Sequence, residues 1–355
     1  MSRPAFAAIS LEALRHNLGV ARRHAPSSQA LAVIKANAYG HGLLRAAAAL
    51  TSADGYGLLE LEGAVQLREA GFRQRIVLLE GMFEPSELPE IVHYGIAMVI
   101  HGREQLRMLQ RLPAGAALDV LVKINTGMNR LGFSPEEFPG VLQTLKSNPG
   151  VAQITLMTHF ASADEPRGVQ WQMEAFDRLA NGVELPVSLA NSAAIFRYPE
   201  THRDWVRPGI MLYGCSPFAD RTGVEIGLKP VMTLESRIIA IRELKRGDTV
   251  GYGGLFTAER DTRVGVVACG YADGYPRHAP TGTPVMVEGR MTRTLGRVSM
   301  DMLCADLTGI PEARAGSRAV LWGGGVPVER VAAAAGTVGY ELLCALAPRV
   351  QIVEA

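Results

Sequence analysis

Lys35 closes an apolar run and opens a polar turn in the stretch "AVIKANAYGHG", residues 32–42. The residues before it predict a buried strand, so an ammonium group stands where the pattern demands a dry interior. Burial disfavours the charged form and can lower a lysine pKa by ~3–5 units. A neutral amine attacks an aldehyde, and the imine so formed is how pyridoxal phosphate is held. The same run also reads as a lysine that snorkels to water. A pyridoxal-phosphate site makes three further demands: a phosphate cradle, a partner for the ring nitrogen and a clamp for a substrate carboxylate. "LANSAA" offers the Ser192 hydroxyl, and "VRPGIMLYG" offers the backbone N–H groups of Gly209 and Ile210. All three are neutral donors, and Arg207 is placed to meet the ring nitrogen. Taken singly, each fragment reads equally as a turn or a surface arginine.

These residues need strands to carry them. From about residue 30, short apolar runs alternate with amphipathic stretches. The expected strands are Ala30–Lys35, Tyr56–Leu61, Ile76–Glu80, Ala97–His101, Leu118–Asn125, Ile154–His159, Val187–Asn191 and Val206–Tyr213. Eight strands alternating with helices predict a closed, parallel, TIM-like β/α barrel. In such a barrel Leu31 and Val33 share an inward face with Lys35, which then sits at the mouth where active sites lie. The phosphate cradle falls after the seventh and eighth strands, a common place for it. Ser134-Pro135-Glu136-Glu137 reads as a capping box and predicts a helix start. After about Gly227, in "LKPVMTLESRIIAIRELKRGDTVGYGGLF", short strands are broken by Gly, Pro and a Lys-Arg-Gly-Asp turn. The expected division is therefore a cofactor-binding barrel over 1–227 and a smaller, mostly β domain over 228–355.

Composition narrows the classes. The chain has 355 residues, 48% hydrophobic and 20% charged, with a formal net charge of +1. No basic run interleaved with aromatics argues for nucleic acid or a membrane surface. The first 26 residues mix Arg and His into a helix-like pattern without the apolar core of a signal peptide. A cytoplasmic location is the expectation. Four scattered cysteines, no HExxH and no phosphate-binding GxxxxGK[ST] leave a metal site or nucleotide hydrolysis without support.

Seven segments together resemble the alanine racemase family: "AVIKANAYGHG", "KINTGMNRLGF" (123–133), "THF" (158–160), "LANSAA", "VRPGIMLYG", "CGYADGYPR" (269–277) and "GRVSMD" (296–301). The resemblance runs from about residue 30 to 341. It implies a β/α barrel followed by a β domain, in agreement with the strand count. It also implies interconversion of L- and D-alanine on pyridoxal 5′-phosphate, supplying D-alanine for cell wall or serving alanine catabolism. Racemisation moves the Cα proton from one face of the substrate to the other, and one base per face is the simplest arrangement. The resemblance makes Lys35 the cofactor anchor and the base facing the D enantiomer, and Tyr271 the base facing the L enantiomer. His159 and Arg207 are the suggested network that tunes the phenol. By composition alone "GYADGYP" is a glycine-rich turn. Family architecture places Tyr271 in the partner subunit's site, which implies an obligate homodimer with shared active sites.

The remaining roles come from the same resemblance. Arg130 matches the arginine near the substrate carboxylate. Lys123, which shares an inward strand face with Leu121 and Asn125, matches a carbamylated lysine that holds Arg130; a lysine paired with an Asp or Glu is the alternative. Tyr39 and Tyr340 match residues at the cofactor phosphate, and Tyr340 and Tyr271 are expected to narrow the entrance. Met300 matches the small substrate pocket, with Asp301 supporting it. Asn125 departs from the family pattern, where many relatives carry Asp, and the tail around Pro348-Arg349 departs from it too. Alternatives are a broad-specificity amino-acid racemase, a pyridoxal-phosphate barrel decarboxylase and a non-enzymatic cofactor carrier.

Overall fold

The structure, a computed structural model, describes residues 3–355. It divides into two compact units. One comprises Arg15–Ala38 and Gly42–Leu212; the other comprises the segment ending at Leu14, Tyr39–His41 and Tyr213–Ala355. The expected boundary at 227/228 thus falls within the second unit, which also takes the start of the chain. The reason is β1 (Phe6–Ile9). Four residues of "FAAI" carry no readable period, and the helix-like pattern begins only at the helix Leu11–His24.

In the first unit β2 (Gln29–Val33), β3 (Gly55–Leu58), β4 (Arg75–Leu78), β5 (Ala97–Ile100), β6 (Leu118–Lys123), β7 (Val151–Met157), β8 (Val187–Ser188) and β9 (Trp205–Val206) close a parallel barrel. Pairing follows sequence order, and β9 returns to β2 with Ala30 opposite Val206. Leu31, Val77, Ala97, Val99, Leu121, Met157 and Trp205 form one buried cluster. Residues from strands all round a closed barrel meet only through its interior, so this cluster fills the barrel. Burying each of the larger side chains contributes roughly 1.5–3 kcal/mol.

The last two strands are shorter than expected. Val187–Asn191 shrinks to Val187–Ser188 because Asn191 caps the helix Ser192–Arg197, its side chain accepting from Ala194 N at 3.1 Å. Val206–Tyr213 breaks at Pro208, which has no N–H to pair. Beyond it Ile210–Tyr213 forms a 3₁₀ turn. The capping box is present: Glu137 N donates to Ser134 Oγ at 3.3 Å and Ser134 N to Glu137 Oε2 at 3.0 Å. Regular helix follows from Phe138.

The second unit is mostly sheet. To β1 it adds β10 (Met232–Leu244), β11 (Thr249–Val250), β12 (Phe256–Thr257), β13 (Thr262–Val267), β14 (Pro284–Val287), β15 (Arg290–Leu295), β16 (Leu303–Asp306), β17 (Arg318–Trp322) and β18 (Gln351–Glu354). The main sheet runs β13-β16-β15-β14-β17-β10-β1-β18. Thirteen-residue β10 organises it, pairing β1 and β17 along its first half and β13 along its second. β1 lies antiparallel to β10 and parallel to β18, so the two ends of the chain meet in one sheet. Among the described residues no helix is long and apolar enough to cross a membrane.

Candidate active site

Side chains alternate along a strand, so two steps beyond an interior residue lead to the C-terminal mouth of the barrel. From Leu121 that step reaches Lys123, from Met157 His159, from Trp205 Arg207 and from Val99 His101. Four residues beyond Leu31 lies Lys35. The barrel gathers these groups although they are spread over more than 170 positions of sequence. Lys123 feels Arg207, Arg130 and Lys35 as cations and Glu80 as the one anion. Burial first, and then those cations, lower its pKa to about 8.

Arg207 is 4% exposed, and its ion is paired by no carboxylate among the described residues. Its terminal nitrogens donate to Ser188 Oγ at 2.9 Å, Thr158 O at 2.8 Å and Leu189 O at 3.0 Å. Burial lowers its pKa to about 10, which still leaves it cationic at neutral pH. A terminal nitrogen also lies 3.4 Å from His159 Nδ1. A guanidinium only donates, so this contact assigns the lone pair to Nδ1 and the ring proton to Nε2. Desolvation, followed by Arg207, Lys123, Arg130 and Lys35, holds the His159 pKa well below its usual range. His159 is therefore a neutral imidazole.

The neutral donors assemble next to Arg207. Ser192 Oγ accepts from Gly209 N at 2.9 Å, which leaves the hydroxyl proton to donate outward. Ile210 opens its 3₁₀ turn, so its N–H has no acceptor within that turn. Ser192, Gly209 and Ile210 are all buried. This donor set suits a phosphate without adding charge.

Lys35 emerges from β2 into a left-handed turn. Ala36, Asn37, Ala38 and Tyr39 have φ of 52°, 52°, 55° and 51°. Left-handed backbone costs non-glycine residues roughly 1–2 kcal/mol each. The surroundings hold it: Ala38 N donates to Ile34 O at 2.9 Å, and Leu43 N to Asn37 Oδ1 at 2.8 Å. Such strain clusters where geometry matters more than stability.

Arg130 is exposed on the loop after β6. Asn125 builds that loop, its Oδ1 accepting from Gly127 N at 3.1 Å and Asn129 N at 3.0 Å. Its Nδ2 also donates to Asn129 Oδ1 at 3.0 Å, a bond that Asp could not make. Gly127, at φ +130°, lies against Trp171, and an added Cβ would stand 2.1 Å from the indole. Gln172, fully buried, donates to Thr126 Oγ1 and His159 O, tying the loop to the end of β7.

The second unit carries the other expected residues. Tyr39 is 7% exposed and stacks on Tyr213 at 4.6 Å, with the Tyr340 ring at 6.3 Å. Burial, then Cys344, raises the Tyr39 phenol pKa. Tyr271 opens the short turn Tyr271–Asp273, and its side chain is 36% exposed. Its N–H donates to Ser299 O, and Ala272 N to Met300 O, so the Tyr271 turn docks on the Met300–Asp301 segment. Gly270 is required there, because a Cβ would lie 2.3 Å from Ser299 O. Met300 is 53% exposed. Asp301 accepts from Arg349 at 2.8 Å.

One mouth residue escaped the sequence reading. His101 lies beside Lys123, one step beyond the pairing of Ile100 with Val122, and its Nε2 bonds Glu80 O at 3.0 Å. Applying the inward alternation to every strand would have found it. Burial is the main cause that lowers the His101 pKa.

Fold and mouth together define a barrel protein whose cationic opening, with neutral donors at its rim, is suited to a phosphorylated ligand and a small anion. Residues 9–217 match the family model for the alanine racemase N-terminal domain, and 231–354 that for the C-terminal domain. The chain belongs to the alanine racemase family. It is 60% identical over 354 residues to alanine racemase of Nitrosospira multiformis, covering 99% of each chain. It is also 60% identical to the Nitrosomonas europaea protein of that name over 358 residues, again 99% of each. The biosynthetic alanine racemase structure from Pseudomonas aeruginosa superposes with a TM-score of 0.97 at 47% identity, covering 99% of both chains. That from Acinetobacter baumannii gives 0.94 at 40%, covering 99% of this chain and 100% of the other.

Proposed function

We propose that the protein interconverts L- and D-alanine with pyridoxal 5′-phosphate, using Lys35 and Tyr271 as bases on opposite faces of the substrate. The observation that carries this reading is the cationic mouth, where Arg207 is buried against neutral acceptors alone. Ser192, Gly209, Ile210 and Tyr39 would hold the phosphate, Arg207 would donate to the ring nitrogen and Lys35 would anchor the aldehyde carbon. When bound, the cofactor supplies an electron-accepting ring that acidifies the substrate Cα–H.

The chain's own groups do the rest. Arg130 offers a planar fork to the substrate carboxylate. Lys35 Nζ exchanges the Cα proton on the D face and the Tyr271 hydroxyl on the L face. Each positioned base contributes roughly 10²–10⁴-fold. Tyr340 and Met300 limit the space for the substrate side chain, although excluding one methylene is worth only ~1–3 kcal/mol. Comparing rates on alanine and serine measures that preference.

Lys123 is proposed to be carbamylated. Neutral Nζ attacks CO₂, an N–C bond forms, one proton leaves, and the resulting anion pairs Arg130. The proposed assembly is a homodimer in which Tyr271 serves the partner's barrel. Its support is the exposed apolar surface of the sheet unit, including Tyr252, Leu255, Met300, Met302 and Val338. The four free cysteines fit a reducing, cytoplasmic compartment. Incubating L-alanine with enzyme and cofactor in deuterated water tests the function. Deuterium at Cα should accompany appearance of the D form; inert L-alanine would refute it.

A further inference from the structure

Asp273 follows Tyr271 by two residues, and its side chain is 1% exposed. A buried carboxylate is costly unless every lone pair is used. Here Oδ2 accepts from Gly270 N at 2.9 Å and from Arg3 at 2.8 Å, while Oδ1 accepts from Arg349 Nε at 2.7 Å. The bond to Gly270 caps the turn that carries Tyr271. The two arginines come from opposite ends of the chain. Arg349 uses its other face on Asp301 at 2.8 Å, so one guanidinium bridges the Tyr271 turn and the Met300–Asp301 segment. The tail is also tied through its backbone, Ala347 N donating to Asp273 O at 3.2 Å.

We propose that Asp273 is a positioning residue for proton transfer at Tyr271, with Arg349 as the clamp that holds it. This rests on the reading of Tyr271 as the base on the L face. Asp273 accepts from Gly270 N, and Gly274 N donates to Tyr271 O, so the Asp273 clamp fixes the backbone from which the Tyr271 side chain departs. A base displaced by about 1 Å loses up to ~10²-fold in rate. Asp273→Asn keeps the shape and can still accept from Gly270, but it cannot pair two guanidinium ions.

The test uses purified holoenzyme and alanine deuterated at Cα. Asp273→Asn should lower kcat roughly ten- to hundredfold. The isotope effect on L-alanine should rise while that on D-alanine falls toward unity, because only the Tyr271 step has slowed. Arg349→Gln should show the same pattern more weakly, and Arg349→Lys should restore part of the rate. Tyr271→Phe is the reference for the pattern. A rate loss with both isotope effects unchanged, or no rate loss, overturns the positioning role. If Tyr271→Phe itself leaves both effects unchanged, the reading of Tyr271 falls and this inference falls with it. Arg349 is 38% exposed, so its variants decide the question if Asp273→Asn does not fold.

Discussion

Lys35 and Tyr271 both stand on short turns, but the two turns are held in different ways. Lys35 precedes four non-glycine residues in left-handed backbone, a strained path held by the bond from Ala38 N to Ile34 O and by burial of Ala38 and Tyr39. The Tyr271 turn is relaxed: Gly270 is extended, Gly274 takes the one left-handed position at φ 101°, and the hold comes from backbone bonds and a buried carboxylate between two arginines. Strain backed by a core resists surface change. Polar clamping at an exposed turn depends on a few named bonds and can be undone by one substitution.

The comparison can be broken most severely at Lys35. Lys35→Ala removes the proposed anchor and base, and racemisation should fall by at least about 10⁴-fold; residual Cα exchange near the native rate would refute the assignment. Tyr271→Phe should cost on the order of 10²–10⁴-fold. Both directions must then lose equal kcat/KM, because the two enantiomers have equal energy, and only the isotope effects tell the faces apart. Gly127→Ala drives a methyl group into Trp171. It should destabilise the barrel by about 1–3 kcal/mol and raise the KM for alanine through Arg130; thermal unfolding and steady-state kinetics check both.

Two further tests sharpen the comparison. Carbamate formation needs neutral Lys123, whose pKa is about 8. Lowering pH below that value favours the ammonium, so the modification should be lost as pH falls and restored by raising pH and adding CO₂. Intact-protein mass or ¹³C NMR with labelled CO₂ measures it. Ala36→Gly should be neutral or stabilising by about 1 kcal/mol, the reverse of the usual sign, because glycine bears φ of +52° without penalty. A clear loss in Tm would show that Ala36 is not strained.

Much was legible without coordinates. The apolar runs located all eight barrel strands, since alternation of buried strand and amphipathic helix is a local pattern set by burial and period. Lys35, Ser192 and Arg207 were read from their places beside the expected strands, whereas Lys123 and His159 entered as site residues through the family resemblance. Strand ends were less legible, because Pro208 and the Asn191 cap act through single residues rather than a period. β1 was missed, because four residues become a strand only when β10 and β18 supply partners from the far end of the chain.

The sequence by itself determined which groups can do chemistry and which strands present them, because residue type and inward alternation are encoded one position at a time. Only the tertiary structure decided their charge states and aim. Lys123 becomes a weaker base, and His159 stays neutral, because closing the barrel desolvates them beside Arg207. Asp273 becomes a clamp because sheet pairing of β1 and β18 brings Arg3 and Arg349, hundreds of residues apart, to the same buried carboxylate. Solvation and long-range convergence belong to the folded chain, and no stretch of sequence carries them alone.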